Sequence, residues 1–428
     1  MDESLLLAPL AFIVLSLMAG ALLKLLLQRV NLPYTVGLFV LGIVVGTLNL
    51  NGFLDATPII QDTITAVCNI DPDLILNIFL PILIFSAAYE LDIHVFKKTL
   101  VNATLLSVPG MIIAMFLTAA VMMGVAQFAP AYANWDWTFA LMFGALISAT
   151  DPVAVVALLG ELGVSKKFST LIDSESMLND GTGIVLFTLM LAPFTASVEA
   201  ADPSPVISFS VVVFGGLAIG YIMARAYVYY ATLKSVKEDL MLQMSMVILL
   251  SYLTFILAQD FFKLSGVIAL VAFGLAVAFY GAKSLDIKVQ SFMKDFWGLL
   301  AYIANTMIFI IIGIIIAEKM AFTWADFATL IVVYIGINVV RMLMITALYP
   351  LLKRSGYGLS KSEAVILTWG ALRGALGLTL ALIVSYTESI PEDIRRQILL
   401  LTSGIVALTL IINATTIKWL LNRLGLIK

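Results

Sequence analysis

Carboxylates stand inside apolar stretches long enough to cross a bilayer, and that constrains this chain more than any other feature. Asp151 lies in Ser148-Ala149-Thr150-Asp151-Pro152, and Glu175 and Asp180 lie in Glu175-Ser176-Met177-Leu178-Asn179-Asp180. A membrane core of about 30 Å takes about 20 apolar residues per helix. Within it every backbone N–H and C=O must be satisfied internally, so an apolar chain of this kind folds as helices. Charged residues are 12% of the chain and hydrophobic ones 62%, where soluble domains carry about 25% charged. The chain is therefore read as an all-α polytopic membrane protein. An ionisable residue at membrane depth is costly to keep and reads first as an ion or proton site.

The 20-residue ruler predicts thirteen transmembrane helices, near 5–28, 33–49, 73–90, 99–124, 137–160, 167–193, 206–230, 239–258, 264–281, 296–317, 327–350, 361–386 and 394–418. Pro33 suits the first turn of the second span. Asp71-Pro72, Asp202-Pro203-Ser204-Pro205 and Ser355-Gly356-Tyr357-Gly358 punctuate the loops. The start, Met1-Asp2-Glu3-Ser4, is acidic where a signal peptide is basic, so the first apolar run reads as a membrane helix. Lys24, Lys97, Lys98, Lys166, Lys167, Lys234, Lys237, Lys283, Lys353, Arg354, Lys418 and Arg423 fall in one alternating set of loops and helix ends. The other set holds only Lys263, Lys319, Arg395 and Arg396. This bias orients the N-terminus outside and the C-terminus in the cytoplasm. Cys68 is the single cysteine, which excludes a disulfide within the chain. The single histidine, His94, is placed in a charged loop from Glu90 to Lys98.

Two spans carry helix-breaking chemistry at mid-membrane. In the fifth, Pro152 lacks a backbone donor and disfavours helical geometry at Asp151. The twelfth is glycine-dense around a charge, Gly370-Ala371-Leu372-Arg373-Gly374-Ala375-Leu376-Gly377. The breaks are seven spans apart, an odd offset, which makes spans 1–6 and 8–13 two inverted six-helix repeats with discontinuous helices 5 and 12 crossing. Interrupted segments at matching places point to a secondary transporter's binding site. Ser176 and Asp180 share one face of span 6. With Thr150 and Asp151 they supply the oxygen ligands that a hard cation such as Na⁺ takes. A carboxylate that binds a cation in one state takes a proton in another, so competition at Asp180 is enough for exchange. Asp151 also reads as a cap for the helix after the break, and Asn179 as a neutral link between the crossing segments. Glu175 is assigned a structural ion pair with Arg341, Arg373 a place against the carbonyl ends of the interrupted helix, and Asp173 either a cation funnel or a solvated position. The chain contains no ATP-binding loop, redox-cofactor motif or nucleophile–base pair. An ion gradient is thus the expected energy source, and no enzyme activity or cofactor is expected.

These motifs resemble the monovalent cation–proton antiporter superfamily, and within it sodium/proton exchangers of the Asn-Asp branch. The likeness is strongest to plant plasma-membrane salt-tolerance exchangers and their prokaryotic relatives. Leu80-Pro81-Ile82-Leu83-Ile84-Phe85, Ser148–Val155, Glu175–Thr182 and Gly370–Gly374 carry it. It implies a homodimer in a cell membrane, with a dimerisation scaffold of 5–90 and 206–281. It also implies a translocation core of 99–193 and 296–418, excluding the edges of span 11, that moves like an elevator. By the resemblance Asp180 is the cation and proton carrier, Thr150, Asp151 and Ser176 are co-ligands, and Asn179 marks one-for-one, electroneutral Na⁺/H⁺ exchange. K⁺/H⁺ exchange, a cation channel and a transport-silent sensor are the competing readings, and nucleic acid is not an expected partner. Two departures stand out. Ser86 occupies a place where many relatives have a carboxylate, and the chain stops soon after its last span, as a minimal exchanger or the membrane part of a larger one.

Overall fold

Apolar segments close their own backbone hydrogen bonds as helices, and each one read from the sequence is helical in the computed structural model. The structure describes residues 3–27, 34–55, 57–195, 205–237, 239–319 and 323–427. Pro33 and Asp202–Ser204 lie outside the described residues, as do Met1 and Asp2. In order, the helices are α1 (Glu3–Leu27), α2 (Tyr34–Leu50), α3 (Pro58–Cys68), α4 (Pro72–Glu90), α5 (Ile93–Ser107), α6 (Pro109–Phe128), α7 (Trp137–Ser148), α8 (Val153–Glu161) and α9 (Lys166–Leu191). They continue as α10 (Pro205–Ala231), α11 (Leu240–Ile256), α12 (Gly266–Ser284), α13 (Ile287–Lys319), α14 (Trp324–Arg354), α15 (Lys361–Trp369), α16 (Ala375–Tyr386), α17 (Glu392–Leu408) and α18 (Ala414–Arg423). No strand occurs among the described residues. Among the described residues ten helical stretches are long and apolar enough to cross a membrane. The three remaining apolar segments are the 17-residue α2 and the pairs α7–α8 and α15–α16, each pair divided by an interruption.

Three features differ from the sequence reading. The segment 99–124 is two helices, because Pro109 has no N–H to continue the ladder of α5 and Val108 departs from helical geometry at φ −106°, ψ −76°. The Glu90–Lys98 loop is not a loop. Glu90 ends α4, Asp92 caps α5 by accepting the N–H groups of His94 and Val95, and His94 lies exposed in its first turn. The 11-residue α3 was missed because it is shorter than any membrane ruler; it packs on α1. The Lys166 ammonium sits 2.7 Å from Asp92, ties the α4–α5 junction to the start of α9, and holds the Asp92 carboxyl below the usual carboxylate range.

Backbone-to-backbone contact fixes α13 on α2. A Cβ on Gly42 would fall 2.5 Å from the Ile310 carbonyl oxygen, and one on Gly313 would fall 2.5 Å from that of Phe39. Small residues let membrane helices approach this closely, and dispersion between the backbones then holds them. The stretch 296–317 is packed on α2 and α4.

The contact makes a stability prediction. Gly313→Ala forces α2 and α13 apart and costs about 1–3 kcal/mol through overpacking, seen as a lower melting temperature in detergent. Gly124→Ala, in α6 where an added Cβ meets nothing within 4 Å, leaves the melting temperature unchanged or slightly raised.

Candidate ion-binding site

The site begins at the first break. α7 ends at Ser148, Ala149 turns extended (φ −60°, ψ 138°), and Pro152 precedes the first residue of α8. The Asp151 carboxylate accepts the Val153 N–H at 3.1 Å and so caps α8. The second break runs from Gly370 to Gly374, between Trp369 and Ala375. The two breaks meet. The Asp151 N–H donates to the Leu372 carbonyl at 2.9 Å. Arg373 Nη1 donates to the carbonyls of Ser148 at 3.0 Å and Ala149 at 3.3 Å. Arg373 therefore offsets the carbonyl end of α7, the other interrupted helix, rather than that of its own span. A Cβ on Gly374 would collide with the Asp151 side chain, so only glycine lets the breaks come this close.

The helix α9 completes the site. Ser176 Oγ donates to the Thr150 carbonyl at 2.6 Å. Asn179 brackets Thr150, donating from Nδ2 to Oγ1 at 2.7 Å while its Oδ1 accepts the Thr150 N–H at 3.4 Å. The sequence reading gave Asn179 a bond between the two crossing spans; both of its bonds go to the fifth span alone. One turn beyond Ser176, Asp180 lines a cavity of about 1370 Å³ together with Asp151, Thr150, Ser176 and Asp173. Among the described residues no hydrogen bond reaches the Asp180 carboxylate, which leaves both oxygens for a proton or a cation. The lining runs on to Lys24, Glu90, Glu161 and Lys418. No group of three or more His, Cys, Asp and Glu with metal-holding geometry occurs among the described residues. The oxygens gathered here are two carboxylates, two hydroxyls and carbonyls, a donor set for a hard cation rather than for a transition metal.

Behind the site the charges are paired. Arg341 Nη2 lies 2.6 Å from Glu175 Oε1, and its Nε donates to the Leu367 carbonyl at 3.3 Å. Glu175 is 2% exposed and Arg341 6%, so each is the other's counter-charge in a buried region. Two groups escaped the sequence reading. Ser86 Oγ donates to Glu90 at 3.0 Å, so a carboxylate reaches the cavity one helical turn beyond Ser86; the i, i+4 spacing was legible once Glu90 is placed on α4. Asn413, 0% exposed, bonds the end of α15; its signal was an amide in the apolar run Leu410-Ile411-Ile412-Asn413.

The transmembrane family of sodium/hydrogen exchangers matches residues 13–423. Sodium/hydrogen exchangers 7 and 8 of Arabidopsis thaliana are 38% and 36% identical over 423 and 419 residues, each covering 96% of this chain. The chain spans 36% and 54% of the lengths of those two relatives. The Na⁺/H⁺ antiporter NhaH of Halobacillus dabanensis is 30% identical, with 92% of this chain and 93% of that one aligned. The sodium proton antiporter MjNhaP1 from Methanocaldococcus jannaschii superposes with a TM-score of 0.76 at 20% identity, over 99% of both chains, and so has the same fold.

The buried pair generates a prediction. Arg341→Gln leaves Glu175 charged and unpaired and destabilises the protein by about 3–5 kcal/mol, whereas adding Glu175→Gln to it recovers a large part of the loss. Thermal melting of the two single variants and the double variant measures the coupling.

Proposed function

Since the chain belongs to the sodium/hydrogen exchanger family, we propose that it is an integral membrane antiporter exchanging Na⁺ for H⁺, with Asp180 carrying either one. The observation that carries this reading is the position of Asp180. It lies in the cavity with Asp151, Thr150 and Ser176, at the crossing of two broken spans, with no protein donor on its carboxylate among the described residues. A proton and a Na⁺ then compete for the same oxygens. A site that releases one only on taking the other couples the two gradients without any further energy source.

In this reading Asp151 is both cap and ligand: Oδ1 holds the Val153 N–H, and the rest of the carboxylate faces the cavity. Ser176 and Thr150 lend oxygen lone pairs, and Asn179 fixes Thr150 for that task. Asp173, on α9 in the same cavity, draws cations inward. Li⁺, which takes the same oxygen donors, is a second substrate. The chain crosses the membrane thirteen times, with 1–6 and 8–13 as inverted repeats, N-terminus outside and C-terminus in the cytoplasm of a cell membrane. The two breaks seven spans apart and the basic ends at Lys166, Lys353 and Lys418 support that arrangement.

Alternating access is an elevator movement of a core against a scaffold that pairs two copies. The scaffold comprises α1, α2, α4 and α10–α12, and the backbone contact at Gly42 and Gly313 leads us to place α13 with it. The neutral Asn179 beside Asp180 supports one Na⁺ per H⁺.

Sealed proteoliposomes carrying a pH-sensitive dye test the reading. Added Na⁺ alkalinises or acidifies the lumen according to its direction, and Asp180→Asn brings the response to background. Clamping the membrane potential with K⁺ and valinomycin leaves the rate unchanged for one-for-one exchange. A potential-dependent rate overturns that stoichiometry, and ohmic Na⁺ current points to a channel instead. Gly374→Ala, which drives the second break away from Asp151, removes the Na⁺ response as well, and normal exchange by that variant counts against the crossing as the site.

A further inference from the structure

The last span grips the crossing from a side that none of the residues above explains. It leaves α-geometry at Thr409–Asn413, where the chain makes a single π turn between α17 and α18. Such turns frequently mark functional positions, because the widened ladder re-aims the side chains at its two ends. Here those two ends reach the two ends of the linker between α15 and α16. Asn413 Nδ2 donates to the carbonyl of Trp369, the last residue of α15, at 2.9 Å. Thr409 Oγ1 accepts the Arg373 N–H at 3.2 Å. Asn413 is itself oriented from α14: its Oδ1 accepts the Tyr334 hydroxyl at 2.6 Å, and its Nδ2 also donates to Asn338 Oδ1 at 3.2 Å.

Tyr334, Asn338 and Arg341 follow one another at helical spacing on a single face of α14. That one face orients Asn413 through its first two residues and neutralises Glu175 of α9 through its third. The linker 370–374 has no regular secondary structure to set its path. Its position follows from a short set of bonds: Trp369 to Asn413, Arg373 to Thr409, Leu372 to the Asp151 N–H, and the Arg373 guanidinium to the carbonyls of Ser148 and Ala149.

We propose that Asn413 is a positioning residue for the cation site, holding the second break so that Leu372 and Arg373 set where Asp151 stands. The inference rests on the exchange reading above and adds to it a residue that touches neither cation nor carboxylate. Groups that orient metal ligands from behind typically carry a 10–100-fold share of affinity. Asn413 works through the backbone of the linker, so its loss acts on cation binding more than on the rate at saturation.

The test measures the Na⁺ concentration for half-maximal proton movement, and the maximal rate, for the unaltered protein, Asn413→Leu, Tyr334→Phe and Ser403→Ala. Ser403 is equally buried in α17 but bonds only to the Leu399 carbonyl of its own helix, so it reports general disturbance of the span. Asn413→Leu is expected to raise the half-maximal Na⁺ about 10-fold or more, with the maximal rate falling by a smaller factor. Tyr334→Phe, which removes one bond to the same amide, shifts it in the same direction by less, and stands in if Asn413→Leu does not fold. Na⁺-dependent melting of the purified variants reads binding without transport and is expected to shift its midpoint concentration in parallel. A lower maximal rate or melting temperature in Asn413→Leu and Tyr334→Phe at unchanged half-maximal Na⁺ overturns the inference and leaves Asn413 a packing residue. An unaltered protein that answers Na⁺ in neither assay overturns the exchange reading, and this inference with it. Binding without exchange overturns the exchange reading alone.

Discussion

The contact on which the rest of the molecule depends is the hydrogen bonding between two broken helices at membrane depth. A backbone N–H or C=O left unpaired in hydrocarbon costs several kcal/mol, and each break exposes several such groups. Some are satisfied across the crossing, the Asp151 N–H by the Leu372 carbonyl and the carbonyls of Ser148 and Ala149 by Arg373, and others from α9 and the last span, by Asn179, Ser176, Thr409 and Asn413. Gly374 must be glycine where the two breaks touch, because a Cβ there would collide with the Asp151 side chain. The same chemistry that makes the breaks tolerable gathers oxygen atoms in one place.

Charge is handled by the same economy of partners. Glu175 and Asp180 are five residues apart on α9, yet their surroundings differ completely. Glu175 faces α14 and is locked to Arg341, while Asp180 faces the cavity with no donor on its carboxylate among the described residues. A paired carboxylate is a structural element; an unpaired one facing an open cavity is free to change partner. Helical periodicity alone separates the two roles, since five residues of α9 rotate a side chain by well over a quarter turn. Asn179, between them in sequence, spends both amide atoms on Thr150 and so keeps the first break in register with the helix that bears Asp180.

Much of this was legible in the sequence, for physical reasons that can be named. Apolar runs must become helices in lipid, so the positions of α1, α4, α9 and α14 follow from a length ruler. Pro152 and the Gly370–Gly374 cluster announce breaks because proline and glycine act on the backbone locally. The Glu175–Arg341 partnership could be read because a membrane interior leaves few candidates for a counter-charge. What escaped needed information that is not local. The division of α5 from α6 at Val108 lay inside an unbroken apolar run, where Pro109 could equally have been tolerated as a kink. The 11-residue α3 was too short for the ruler. Arg373 was read correctly as a partner for carbonyls, but which helix supplied them depended on how the two breaks cross. Asn413 was invisible as a functional candidate because its partners, Tyr334, Asn338 and Trp369, come from two other helices.

The packing that surrounds the site divides along the same physical line. Where α2 meets α13, backbone touches backbone at Gly42 and Gly313, and Tyr34 and Asn49 add side-chain hydrogen bonds to Thr306 and Glu318 at either end. Around the crossing, neighbouring elements are joined by buried directional bonds: Arg341 to Glu175, Tyr334 to Asn413, Ser176 to Thr150. The first kind of contact resists any relative movement of its two helices. The second ties α9, α14 and the two broken spans to one another through buried side chains. The cavity lies between these two regimes, lined on one side by Lys24, Tyr34 and Tyr302 of the close-packed group and on the other by Asp151, Ser176 and Asp180. The carboxylates thus stand where these two kinds of packing meet at one cavity.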